Sequence, residues 1–291
     1  MAWKENLPYV SATYTPQDAA TALTFNTLPL QRKLRQKHVN HLTNLIKTDT
    51  HRHFDIAFAH ITGEDPEKTK VMVNGQHSCR AIENAGIPVI GVIAYYECDN
   101  LIDIADVYAL YDTDEKTRSI NDIIKMHIHA LAIKEPVATV SMTVMAHNEN
   151  SGKKSDARSI KGATTKTLLP EFKFMDGLFP LNSTDYNKKL FKKPIVRMIL
   201  KTWQINKKEG EIFWKRVRDG ALLAKDSPEL ILRNFLLNLY WEQGKAYYQN
   251  KRISVGTLHK KIIHAWNSYR QNKTIKRLMG NESSTMPQIL P

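Results

Sequence analysis

Cysteine is scarce: the 291 residues contain two, Cys79 and Cys98. Two thiols cannot build a disulfide framework or a thiolate zinc site. No apolar run reaches the roughly 18 residues needed to span a bilayer. The opening MAWKENLPYV lacks the apolar core of a signal peptide. The chain therefore reads as cytoplasmic, with no membrane partner. No segment repeats. Acidic residues are scarce in one half only. Residues 1–150 hold 14 Lys/Arg and 18 Asp/Glu, a net of −4, whereas residues 151–291 hold 28 and 11, a net of +17. This asymmetry is expected of a near-neutral domain joined to one that binds a polyanion, and it points to nucleic acid.

What is present centres on Val71–Gly86. Val71–Met72–Val73 is a short buried-strand signal, and Asn74–Gly75 breaks it with a tight turn. From Gln76 the pattern is helical, with Ala81, Ile82 and Ala85 on one face and Gly86 as the expected C-cap. Ile87–Ala94 reads as the next buried strand. The tetrad Gln76–His77–Ser78–Cys79 thus sits at the mouth of a strand–turn–helix unit. The free N–H groups and positive dipole end of such a helix suit a phosphate. A capped tight turn would leave the same pattern.

Around this unit, residues 1–14 read as a loose arm. Thr15–Pro16–Gln17–Asp18 opens a helix, with Thr as N-cap and an acid in the first turn. A turn at Pro29–Arg32 precedes a second helix over Gln36–Thr48, and Asp55–Ala59 reads as a strand. Ile102–Tyr111 is apolar enough for helix or strand, and Ser119 starts a helix after the polar turn Asp112–Arg118. Beyond 126 the strand signals fade. Asn148–Lys154 reads as a linker. Helices are expected at about 157–168, 170–178, 186–204, 209–223, 228–247 and 254–270. Pro194 should kink the third of these, and the tail from Gly280 should fray.

Several side chains could carry chemistry. His38/His41, His51/His53 and His127/His129 lack the carboxylate or cysteine partners of zinc motifs, so structural or surface roles are expected. Cys79 stands where a helix dipole can lower a thiol pKa, yet no base is fixed beside it, so packing is expected. Asp112, Asp114 and Glu115 could hold a divalent cation or form a solvated loop. In the basic half, Phe213 and Trp214 read as core. Lys207, Lys208, Lys215, Arg216, Lys251, Arg252, Lys260, Lys261, Lys276 and Arg277 are the expected DNA phosphate contacts.

Asn74–Gly75–Gln76–His77–Ser78–Cys79–Arg80–Ala81–Ile82 resembles the G-x-H-R-x-x-A box of the ParB/sulfiredoxin-like superfamily, in the GQHR version found in uncharacterised phage, plasmid and bacterial proteins. Thr15–Pro16, Asn26 with Gln31–Arg32, the box, and Asp112–Thr113 with Arg118–Ser119 follow the order of those proteins. So do Phe213–Trp214 with Val217 and Gly220, Ser227–Pro228 with Leu232–Arg233, and Ala265–Trp266–Asn267–Ser268–Tyr269–Arg270. The resemblance extends over about residues 15–280. It departs at Ser78, where the box usually has Arg. A hydroxyl offers one donor and no charge, whereas Arg offers a bidentate clamp. Phosphate binding is then expected to be weaker or rearranged. The sulfiredoxin nucleophile precedes the His-Arg pair, a place taken here by Gln76, so a reductase is not expected.

The resemblance implies an α+β chain: a ParB/sulfiredoxin-like α/β core at 1–125 and a mostly helical basic domain at 126–291. It implies a phage- or plasmid-type DNA-associated protein with a nucleotide or phosphate pocket. Asn74, Gly75, Gln76, His77, Ser78 and Arg80 would line that pocket, with Arg32, Asp112 and Arg118 facing it. The cofactor would be an NTP with Mg²⁺. A metal-assisted DNase or ATPase is the alternative, with His77 as base and Asp112 or Asp114 holding the cation. A catalytically silent interaction factor is the third reading. Besides DNA, the partners in view are a second copy of the chain and a host or phage protein.

Overall fold

The structure is a computed structural model that describes residues 3–28, 33–51, 53–111, 119–153, 160–180, 190–242, 245–248 and 251–291. It is a mixed α/β chain. The chain divides into two compact units, residues 1–137 with 156–167, and residues 138–155 with 168–291.

The first unit is built on a four-stranded mixed sheet of order β1-β4-β2-β3. Its strands are β1 (Trp3–Tyr14), β2 (Phe54–Ile61), β3 (Val71–Asn74) and β4 (Val89–Cys98). β4 runs parallel to β2 with Ile56 opposite Ile93, and antiparallel to β1 with Ala12 opposite Gly91. Residues 3–14 are therefore an edge strand and not a loose arm. Their local apolar signal is weak, and what orders them is the ladder offered by β4.

One face of the sheet carries Phe54, Ile56, Phe58, Met72 and Ile93. Three helices cover it: α1 (Pro16–Thr24), α2 (Gln36–Lys47) and α4 (Gln76–Ala85). Alternation along the strands sends Ala57, Ala59 and Ala94 to the opposite face. There α5 (Leu101–Leu110) packs, which settles the helix-or-strand ambiguity in favour of helix. The short α3 (Pro66–Thr69) lies within the loop before β3. Caps fix the helix starts: Thr15 and Asp18 form a capping box at α1, Asn100 accepts from two N–H groups at α5, and Ser119 with Asp122 boxes α6 (Ile120–Ala130). α8 (Gly162–Thr167) completes the unit, and Gly162 donates its N–H to Asp106 at 3.0 Å.

The second unit is mostly helical: α7 (Val137–Asn150), α9 (Leu169–Leu178), α10 (Lys193–Ile205), α11 (Lys207–Asp219), α12 (Pro228–Leu237) and α13 (Val255–Arg270). Asn148–Asn150 are the last turn of α7 and not a linker. Pro194 sits in the first turn of α10, where its missing N–H costs nothing, so no kink arises. The core gathers Phe213, Trp214, Trp266 and the apolar faces of α10–α13. The Trp214 indole N–H donates to Thr202 Oγ1 at 2.8 Å.

Two further expectations for this half are corrected. α12 stops at Leu237, and three short segments form an antiparallel sheet, β5 (Leu239–Glu242), β6 (Lys245–Tyr248) and β7 (Lys251–Ile253). The run Leu-Tyr-Trp-Glu and the pair Tyr247–Tyr248 favour a pleated strand over a helix. The tail beyond Gly280 is docked along α13. Trp266 Nε1 donates to the Leu290 carbonyl, Asn267 Nδ2 to that of Gln288 and Arg270 Nε to that of Pro291, at 2.7, 2.8 and 2.7 Å.

Candidate functional site: the turn from β3 into α4

Gly75 adopts φ 106°, in the left-handed region, and turns the chain from β3 directly into α4. A Cβ there would stand 3.1 Å from the Ile56 side chain, so the turn requires both the conformational freedom and the small size of glycine. Asn74 holds the strand end by donating Nδ2 to the Asp55 carbonyl at 3.1 Å. The first bond inside α4 runs from Cys79 N–H to the Gly75 carbonyl, 2.8 Å, so the turn before it opens the helix. Gly86, also left-handed, closes the helix as the sequence indicates.

Two elements converge on this opening. Asn26, beyond the end of α1, donates Nδ2 to Gln76 Oε1 at 3.4 Å. Arg35, the N-cap of α2, donates its main-chain N–H to His77 Nε2 at 3.0 Å. That bond requires Nε2 to be unprotonated and places the ring proton on Nδ1. The His38 ring packs edge-on against His77, centroids 5.2 Å apart. Gln76 and His77 are both buried, and Ser78 is half-buried. The spacing of His38 suggests only a structural role. Its approach to His77 is a tertiary contact that no local spacing announces.

Arg80 turns along its own helix. Its Nη1 meets Glu83 Oε2 at 2.5 Å, with the two side chains 40% and 35% exposed. Cys79 is fully buried, and burial, with Glu83 adding repulsion, pushes its thiol up to about 12. It packs the helix, and its thiol is held in the protonated form. Arg32, Asp112, Asp114 and Arg118 lie outside the described residues. Among the described residues no group of three or more His, Cys, Asp or Glu is placed to hold a metal ion.

The expected DNA cations divide by environment. Lys208, Lys276 and Arg277 are exposed and make no ion pair among the described residues. Lys207 is exposed at the surface, 5.0 Å over the Trp203 ring. Lys215 pairs with Glu211 at 2.7 Å, and Arg216 with the buried Glu229 at 3.1 Å. Lys251 and Arg252 are on β7. Lys260 requires correction: it is 7% exposed, and its ammonium donates to the carbonyls of Asn281, Glu282 and Ser284. Lys261 is half-buried over Phe235 and donates to the Leu278 carbonyl at 3.2 Å. Both hold the C-terminal segment and are poorly placed for a phosphate.

Comparison of the chain with models of protein families, with curated proteins and with solved structures finds no match. Among the described residues no helix is long and apolar enough to cross a membrane.

Proposed function

We propose that the chain is a DNA-associated protein of phage or plasmid type that binds a nucleotide or phosphate where β3 turns into α4, on a ParB/sulfiredoxin-like α/β core. The observation that carries this reading is the convergence of Asn26 and the Arg35 N–H on Gln76 and His77, at a helix opened by left-handed Gly75. The helix end favours negative charge. Binding is a better fit than base catalysis, because His77 Nε2 already accepts a hydrogen bond. Mg²⁺ would accompany the nucleotide as a counter-charge on its phosphates. The +17 half supplies the DNA surface, with Lys208, Lys276 and Arg277 as exposed cations that form no ion pair among the described residues.

A thermal-shift screen of NTPs with and without Mg²⁺ tests the pocket. A ligand at 100 times its dissociation constant adds about 2.7 kcal/mol of stability. In a Glu83→Gln background, where the guanidinium is released, Arg80→Ala should then weaken the ligand by about 1.5–3 kcal/mol, the worth of a charged hydrogen bond. No shift with any NTP removes the nucleotide reading. Duplex DNA titrated over a range of salt tests the second half of the proposal. Replacing Lys208, Lys276 and Arg277 together should flatten the log–log slope, by about 0.9 for each phosphate that is no longer neutralised. An unchanged slope places the DNA surface elsewhere.

A further inference from the structure

The C-terminal segment does not close against α13 along its whole length. Between the two lies a cavity of about 630 Å³. Taking about 30 Å³ per water, that is room for roughly twenty waters, or for a sugar-sized ligand. α13 supplies Ser268 to its wall, the turn that follows supplies Gln271, Lys273 and Thr274, and the C-terminal segment supplies Thr285. No carboxylate lines it.

The charge on this wall is uncompensated. Lys260 lines the cavity at 7% exposure, and its ammonium meets only the carbonyls of Asn281, Glu282 and Ser284. Among the described residues it forms no ion pair, not even with the Glu282 carboxylate. Buried lysines are ordinarily paired, because an isolated charge is costly to bury. The three carbonyls occupy all its donors, so Lys260 offers a ligand its field and not a hydrogen bond. Lys273 offers both, being exposed and without an ion pair among the described residues. Burial, with the Lys261 charge, lowers the pKa of His264 on the same wall, so that ring is neutral. Two ammonium groups and no carboxylate favour a dianion.

The hydrogen-bonding groups agree. Ser268 is 7% exposed and lines the cavity, yet its hydroxyl has no partner among the described residues. The Lys273 N–H donates to the Ser268 carbonyl at 2.9 Å, which holds that hydroxyl and the free lysine at one end of the cavity. The side chains of Gln271, Thr274 and Thr285 add donors that are likewise unused among the described residues. The carbonyls of Asn267, Ser268 and Tyr269 at the end of α13 are taken by the N–H groups of Gln271, Lys273 and Asn272, so they do not oppose an anion there.

We propose that this cavity binds a small phosphate monoester, its phosphate on Lys273 and Ser268 within the field of Lys260 and its body against Ile275, Met279 and Pro287. The proposal is independent of the phosphate site at Gly75 and of the DNA reading. Calorimetry on the full chain with ribose 5-phosphate tests it, with ribose as the uncharged comparison. Ribose 5-phosphate should bind, and ribose should not. Lys273→Gln, at an exposed position, should weaken the ester by about 10-fold or more, and Ser268→Ala by about 5-fold. Should Ser268→Ala disturb the fold by circular dichroism, Thr285→Trp, at an exposed position on the wall, blocks the same space and should abolish binding. Amide exchange with ribose 5-phosphate present should slow across residues 271–285. The proposal is overturned if the ester does not bind at millimolar concentration, if ribose binds as tightly, if Lys273→Gln binds the ester equally well, or if protection is confined to residues 75–80.

Discussion

The main-chain N–H of Arg35 and Nε2 of His77 lie 3.0 Å apart, and this one bond joins the start of α2 to the first turn of α4. His77 is thereby part of the framework as well as of the candidate site. His77→Ala should lower stability by about 1–2 kcal/mol, since it removes a mostly buried hydrogen bond and leaves the α2 N-cap without its acceptor. Urea denaturation of both proteins measures it. An unchanged midpoint would restrict His77 to a ligand-binding role.

Arg80 is engaged by Glu83 at 2.5 Å on the surface of α4. Such a pair stabilises the protein by less than about 1 kcal/mol, so Glu83→Gln should leave the fold intact. It should tighten a bound nucleotide by releasing the guanidinium. Ser78→Arg, which restores the usual residue of the box, should tighten it further. Titration of each variant with the ligand found in the NTP screen decides both. If neither variant gains affinity, the phosphate does not lie over this turn of the helix.

Lys260 draws three carbonyls of the C-terminal segment onto α13. Lys260→Met should therefore speed amide exchange across residues 281–290 and lower stability by about 1.5–3 kcal/mol. The salt slope of DNA binding should stay as it is, because the ammonium is turned inward. A flattened slope with unaltered exchange would return Lys260 to the DNA surface.

His259 is buried against α10, its Nε2 3.0 Å from the Pro194 carbonyl. Burial first, then the Arg197 charge, lowers its pKa from 6.5 to about 4. The unfolded chain thus binds the extra proton between about pH 6.5 and 4, and the folded chain does not. Stability should fall as pH drops through that window, by about 3 kcal/mol for this group at the usual 1.36 kcal/mol per pKa unit. His259→Gln should flatten the dependence of melting temperature on pH between 6.5 and 4. An equally steep wild type and variant would assign the acid sensitivity to the other buried histidines.

Local chemistry alone determined a good part of this molecule. Thr15–Pro16, Ser119 and Ser227–Pro228 start helices where their capping groups say they should, because a cap acts within three residues. Asn74–Gly75 followed by an amphipathic run is enough to predict β3, the turn and α4. Tertiary structure decided the rest. Residues 3–14 are a strand only because β4 offers them a partner. The C-terminal tail is ordered only because Lys260, Trp266, Asn267 and Arg270 reach its main chain. At the candidate site the glycine and the helix were legible in sequence, whereas the contacts of His77 with Arg35 and His38 were not. They join residues about 40 positions apart, and hydrogen bonds across such a separation depend on how α2 and α4 pack on the sheet, which no local pattern encodes.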